Sequence, residues 1–185
     1  MFIQTETTPN PATLKFLPGR TVLAEDTRNY RSEAEAAESP LAIALFAVPG
    51  VAGVFYGYDF VSVTKDEAAD WQHLKPAILG AIMEHFVAGS PLFAGEAVAA
   101  LDDEFFEASD AETVAAIKEL IDTRVRPAVA NDGGDITFKG FKDGVVFLTM
   151  KGACSGCPSS TATLRHGIQN LLKHFLPEVR EVRAA

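Results

Sequence analysis

Apolar and polar residues alternate in short runs, and these runs are separated by stretches with helical spacing. Residues 2–8 alternate weakly and are rich in Thr, as suits an outer strand. Asn10-Pro11 marks a turn, Thr13 to Leu17 reads as a second strand, and Pro18-Gly19 closes it. Residues 25–39 are polar and irregular. Ser39-Pro40 can open a short helix, with Ser39 as N-cap and Pro40 at the first position. Leu41, Ile43, Ala44, Leu45 and Phe46 give that helix its apolar content, and Pro49-Gly50 ends it. Val51 to Tyr56 and Phe60 to Thr64 predict two strands joined at Gly57-Tyr58-Asp59. Leu74, Ile78, Ile82 and Phe86 recur every four residues, so a helix is predicted over 74–87.

The pattern breaks over residues 89–109, first at Gly89, Pro91 and Gly95, then in Asp102-Asp103-Glu104-Phe105-Phe106-Glu107. This stretch reads as a flexible acidic linker with some local helix, and Phe105 and Phe106 are expected to dock onto one domain. Asp110 then caps a helix with the stripe Val114, Ile117, Ile121 and Val125, which Pro127 kinks or ends, with a further turn to Ala130. Ile136 and Phe138 alternate on a strand, Asp143-Gly144 turns a hairpin, and Val145 to Met150 returns. The segment Gly152-Ala153-Cys154-Ser155-Gly156-Cys157-Pro158 follows. A last helix carries Leu164, Ile168, Leu171, Leu172 and Phe175 on one face. The expected fold class is α+β, with two small α+β domains, residues 1–88 and 110–185, joined by the linker at 89–109.

Charge separates the same two parts. Of the formal net charge of -9, residues 1–109 carry -10 and residues 110–185 carry +1. An acidic chain repels a phosphate backbone, so nucleic-acid binding is disfavoured. No run of 18 apolar residues exists, so no membrane span is expected. Met1 to Asn10 lacks the basic start and apolar run of a signal peptide. The two cysteines stand three residues apart, which suits a reducing compartment better than a disulfide framework.

A CxxC pair places two sulfurs within reach of one metal centre, or of each other. The following helix, opening at Pro158, has unpaired N–H groups and a partial positive end, which favour thiolate. Gly152 and Gly156 allow sharp turns and keep bulk away from the sulfurs. Four readings stand at this point. An iron–sulfur cluster usually takes four thiolates, so two chains must meet. Zinc is satisfied by the same four sulfurs. A redox dithiol expects a βαβ unit ahead of the motif and further strands behind it, whereas here a hairpin precedes it and about ten residues follow the last helix. Two buried structural cysteines are disfavoured because Ser155, Gly156 and Ser159 make the loop polar, and it is expected to be exposed.

Further residues bear on the choice. Arg126-Pro127, Asn131-Asp132-Gly133-Gly134-Asp135, Gly152-Ala153-Cys154-Ser155-Gly156-Cys157-Pro158-Ser159-Ser160, Thr163-Leu164 and Pro177-Glu178-Val179 together resemble the NifU-like (Nfu-type) iron–sulfur scaffold and carrier family. Thr7-Thr8-Pro9-Asn10-Pro11, Leu14-Lys15-Phe16, Pro49-Gly50-Val51 and Asp59-Phe60-Val61 resemble that family's N-terminal domain. The resemblance implies a non-enzymatic protein that holds a transient [4Fe-4S] cluster bridging a homodimer, with Cys154 and Cys157 as the cofactor-binding and metal ligands. It also implies upstream cluster assembly proteins as donors and iron–sulfur apo-proteins as recipients. The expected location is the bacterial cytoplasm, or the mitochondrial matrix for a mature organellar form. A CxxC thiol–disulfide oxidoreductase is the alternative function.

Other candidates read as structural. Asp132-Gly133-Gly134-Asp135 ends a helix and reverses the chain. Lys151 is a strand-end lysine that could offset cluster charge. His73, His85, His166 and His174 are scattered, and Trp71 is a packing residue at a helix start. No G-x-x-x-x-G-K-[ST] loop occurs, so ATP hydrolysis is not indicated.

Overall fold

The computed structural model describes residues 1–95, 103–156 and 158–185. The chain divides into two compact units, Met1–Ala99 and Ala100–Ala185.

In the first unit, strands β1 (Gln4–Thr7), β2 (Thr13–Leu17), β3 (Arg28–Tyr30), β4 (Val51–Tyr56) and β5 (Val61–Lys65) form one antiparallel sheet in the order β1-β2-β5-β4-β3. Helices α1 (Pro40–Phe46) and α2 (Trp71–Val87) supply Leu41, Leu45, Ile78 and Ile82 to a core shared with Phe16, Val54, Tyr56, Val61 and Val63 of the strands. The Ser39 cap forms as the sequence predicts, Asp70 supplies a cap that was not anticipated, and Asp110, expected to cap the next helix, stands at its N-cap without a side-chain hydrogen bond to it. Ser39 Oγ accepts from the Ala42 N–H at 3.3 Å, and Asp70 Oδ1 accepts from the Gln72 N–H at 2.8 Å. The Asp70 cap starts α2 at Trp71, three residues earlier than expected, and Trp71 Nε1 donates to the Pro11 carbonyl at 3.2 Å. Strand β3 lies in the stretch read as irregular, and its only apolar residue, Tyr30, is its buried one.

In the second unit, α3 (Ala111–Leu120) runs through a π-helical turn, Ile121–Val125, into α4 (Arg126–Asn131). The irregularity falls just ahead of Pro127, whose ring cannot accept a regular preceding turn. Strands β6 (Gly134–Lys142) and β7 (Val145–Gly152) form the hairpin, with Asp143 at φ 52° and Gly144 at φ 78°. Both turn residues at positive φ match the right-handed twist of the strands. Helix α5 (Pro158–Phe175) follows, then β8 (Glu181–Ala184), which pairs parallel with β7. The sheet order is β6-β7-β8. Ile117, Ile121, Val129, Ile136, Leu148, Ile168, Leu172 and Val182 make its core.

Two expectations change here and a third holds. Strand β8 was not anticipated: the residues after the last helix do add one strand behind the motif, and β7, α5 and β8 form a parallel crossover. Phe175 is 47% exposed, beneath the Arg124 guanidinium at 5.3 Å, instead of facing the core. Phe105 and Phe106 do dock, onto the second unit.

Candidate metal centre

The motif leaves β7 at Gly152, which has φ 63°, a value that favours glycine. The Ser155 N–H and hydroxyl both donate to the Gly152 carbonyl, at 3.1 and 2.8 Å, which closes a tight turn around Ala153 and Cys154. The Ala153 N–H donates to the Gly133 carbonyl at 3.2 Å, so the helix-ending loop after α4 is stitched to the motif. From the other side, the Thr161 hydroxyl of α5 donates to the Cys154 carbonyl at 3.0 Å. The turn itself, the loop after α4 and the first turn of α5 therefore fix the backbone around Cys154.

Cys154 is 6% exposed and belongs to the core of the second unit. This overturns the expected exposure at this position. Gly152 turns the chain inward, and a small thiol packs as a small hydrophobe, while Gly156 and Ser159 do face solvent. The expected lowering of its pKa is overturned as well. Burial, then the negative charges of Asp132 and Asp135, pushes the Cys154 thiol up to about 12. Loss of hydration outweighs the positive end of α5, which begins four residues further on. Cys157 lies outside the described residues.

Two neighbours matter that the sequence alone read only as chain reversal. Gly134, paired with Gly152 at the end of the hairpin, leaves the space that Cys154 fills. A β-carbon on Gly134 would lie 2.5 Å from Cys154 Sγ, 2.8 Å from the Lys151 carbonyl and 2.9 Å from the Cys154 nitrogen. Asp135, 4% exposed, accepts both arms of the Arg126 fork, Nε to Oδ1 and Nη2 to Oδ2, each at 2.9 Å. Its Oδ1 also accepts the Ile136 N–H at 2.9 Å. Arg126 in turn reaches Asp122 at 3.3 Å, and the Asp135 hydrogen bond helps to hold its guanidinium more firmly protonated than usual. The fork ties α4 to the start of β6 and so sets the loop that receives Ala153. Spacing gives no sign of this, although an Arg and an Asp nine residues apart across a helix–strand turn are what such a fork requires.

Lys151 is half-buried opposite Asp135 in the hairpin register. His73, His166 and His174 are exposed, and His85 is buried in the first unit. Among the described residues no group of three His, Cys, Asp or Glu could by itself hold a metal ion. One chain offers two thiols in all, and a tetrathiolate centre needs two more. The donor set fits an iron–sulfur cluster or zinc shared between two chains. Cys154 would supply a soft sulfur on a backbone that hydrogen bonds hold in place.

Comparison with known proteins separates these chemistries further. The family model for the scaffold protein Nfu/NifU N terminal matches residues 3–89, and that for the NifU-like domain matches residues 117–183. NifU-like protein 5, mitochondrial, of Arabidopsis thaliana is 49% identical over 184 residues, which cover 98% of this chain and 67% of that protein. The NFU1 iron-sulfur cluster scaffold homolog, mitochondrial, of Homo sapiens is 50% identical over 183 residues, covering 98% of this chain and 71% of that protein. The homolog of the same name in Drosophila ananassae is 50% identical, with 63% of its length covered. The chain thus spans about two thirds of the length of these relatives. With half of its residues shared along nearly its whole extent, the chain belongs to the Nfu/NifU family of iron–sulfur cluster scaffold proteins.

Proposed function

We propose that this protein is a non-enzymatic scaffold and carrier in which two copies hold one [4Fe-4S] cluster through Cys154 and Cys157 of each, then pass it to apo-proteins. The observation that carries the reading is the thiol count. A chain of a scaffold family has two cysteines, three residues apart, and a cluster takes four thiolates. The cluster is cargo, received from upstream assembly proteins and surrendered to the cysteines of recipients.

The setting of Cys154 suits temporary custody. Its thiol binds its proton tightly, so iron must displace that proton on loading, and the metal's charge compensates the thiolate. On delivery a recipient thiolate takes over the iron, and the freed Cys154 sulfur regains a proton, a step that its burial and the two nearby carboxylates favour. The same preference for the neutral thiol counts against Cys154 as the attacking cysteine of the alternative thiol–disulfide oxidoreductase, since that attack needs a low pKa. Both compartments considered, the bacterial cytoplasm and the mitochondrion, keep thiols reduced. The mitochondrial labels of the named relatives support the second.

The test is anaerobic reconstitution with iron and sulfide, followed by sizing, an absorption spectrum and an iron count. The expected species is a brown dimer with about four irons per two chains. Cys154→Ser and Cys157→Ser should each lose stable loading while the apo chain keeps its circular dichroism. A Cys154→Ser chain that still holds a full cluster refutes the ligand assignment. A colourless dimer containing zinc would assign the site to a structural metal. A colourless chain that cycles a Cys154–Cys157 disulfide would assign it to redox chemistry.

A further inference from the structure

Strand β6 is an edge of its sheet, and an edge offers unpaired N–H and C=O groups to any extended segment. In this chain part of that edge is filled by residues just ahead of α3. The Phe105 N–H donates to the Lys139 carbonyl at 3.1 Å, and the Phe141 N–H donates to the Phe105 carbonyl at 2.9 Å. This one-residue parallel bridge falls where the β6–β7 register shifts, between Phe138 and Gly140. The Phe105 ring lies over Gly140, where a β-carbon would collide with the ring, and its centroid is 5.3 Å from that of Phe147. The Phe106 ring stands 6.4 Å from Phe138. Lys118 Nζ donates to both oxygens of Glu104 at 2.8 Å and lies 5.8 Å over the Phe138 ring.

These features make up a recognition site with several components. A bulge frees one carbonyl and one N–H, a glycine provides a socket for an aromatic ring, and a lysine reads a carboxylate one residue before that ring. Gly140 is not in a conformation that demands glycine, so its lack of a side chain is explained by the ring it accommodates. Yet the occupant is lightly held. Phe105 and Phe106 remain 43% and 42% exposed, and the Lys118–Glu104 pair is open to solvent.

We infer that the bulged edge of β6 is a peptide-docking groove, closed in this chain by its own Glu104-Phe105-Phe106-Glu107, and that it takes in their place an extended partner segment with paired aromatic residues flanked by carboxylates. Strand addition at an edge supplies the main-chain bonds, and the socket and Lys118 supply selectivity. The resident strap competes from a high effective concentration, so a partner engages appreciably only once the strap is displaced.

The test uses the full chain and a labelled synthetic peptide with the sequence of residues 103–108, Asp-Glu-Phe-Phe-Glu-Ala. Fluorescence anisotropy should show binding to Phe105→Ala/Phe106→Ala about tenfold or more tighter than to the unaltered chain, because the groove is then vacant. Adding Gly140→Ala, which fills the socket, or Lys118→Glu, which repels the carboxylate, should remove that gain. In the otherwise unaltered chain, Gly140→Ala should also speed hydrogen exchange at the Phe105 amide while Leu148 in the sheet core stays protected. Failure of the peptide to bind the strap-released chain, with its circular dichroism intact, overturns the inference, as does equal binding with and without Gly140→Ala. Self-association of the released chain that the peptide dissolves would assign the groove to a second copy and overturn the partner assignment.

Discussion

Gly134→Ala tests the account of how Cys154 is positioned. The added β-carbon would meet Cys154 Sγ at 2.5 Å, the Lys151 carbonyl at 2.8 Å and the Cys154 nitrogen at 2.9 Å. Comfortable carbon contacts lie at about 3.5–4.0 Å, so each neighbour must retreat by about 1 Å. The sulfur can swing on a single torsion. The carbonyl and the nitrogen are main-chain atoms of the strand end and the turn that Ala153 and Thr161 pin, so they move only with the loop. Overpacking of this kind costs about 1–3 kcal/mol. Against it stands about 0.4–1 kcal/mol from the reduced freedom of the unfolded chain. The balance is destabilising. Gly80→Ala is the control, since its β-carbon would meet nothing within 4 Å and it lies on the exposed face of α2. It should stabilise by about 0.8–1.0 kcal/mol. Urea unfolding of the apo chain reads the two effects. Alkylation of Cys154 in a Cys157→Ser background reads the loop, and should quicken in Gly134→Ala as the sulfur leaves its buried position. If Gly134→Ala is as stable as the parent, with an unchanged alkylation rate, the space beside the thiol is not what Gly134 provides.

Other consequences can be checked directly. Asp135→Ala removes both arms of the Arg126 fork and one acceptor of the Ile136 N–H. Because Arg126 is one-third exposed and keeps Asp122, the loss should be about 1–3 kcal/mol in urea unfolding, not the larger cost of stranding a fully buried charge. Ser39→Ala removes the α1 cap and the 2.8 Å partner of the buried Tyr56 hydroxyl, and should lower thermal stability by about 1–2 kcal/mol. Burial, assisted at Tyr30 by its 2.7 Å hydrogen bond to Glu38, pushes both Tyr30 and Tyr56 above the ordinary tyrosine range. In the unfolded chain these phenols ionise near pH 10, so the folded state holds more protons above that pH, and stability falls as pH rises beyond about 10. Phenolate absorbance during alkaline titration should show Tyr30 and Tyr56 ionising only with unfolding, and ionisation of either in a chain that is still folded near pH 10 would contradict this.

Much of the architecture was legible because local signals and tertiary packing agree. Ser39-Pro40 caps a helix, Asp143-Gly144 turns a hairpin with both residues at positive φ, and Pro127 coincides with an irregular turn. Strands β3 and β8 escaped because each carries little pattern. Tyr30 is the only buried residue in β3 and Val182 the only one in β8, so neither alternates long enough to announce a strand. Their existence depends on pairing with β4 and β7, which are distant in the chain. Phe175 was misassigned because it lies at the helix end, beyond the sheet surface that covers Ile168 and Leu172.

The candidate site divides along the same line. A CxxC spacing points to two candidate donors, and the count of two raises the expectation of a second chain, but neither says how tightly a thiol keeps its proton. That property is set by the residues around it in space. Gly134 lies twenty residues before Cys154, and Asp132 and Asp135 flank it in the sequence, yet the hairpin returns all three to the sulfur. The polar residues Ser155 and Gly156 suggested an exposed loop because composition averages over neighbours, whereas a tight turn can send one residue inward and the next outward. The outcome matters for the proposed carrier. An exposed, low-pKa thiolate would bind iron readily and would also be readily oxidised, which suits redox chemistry. A buried thiol that prefers its proton is shielded while empty, and in the proposed carrier its recovery of that proton would favour release of the cluster. Burial of Cys154 therefore disfavours that thiol as an attacking nucleophile, which needs a low pKa.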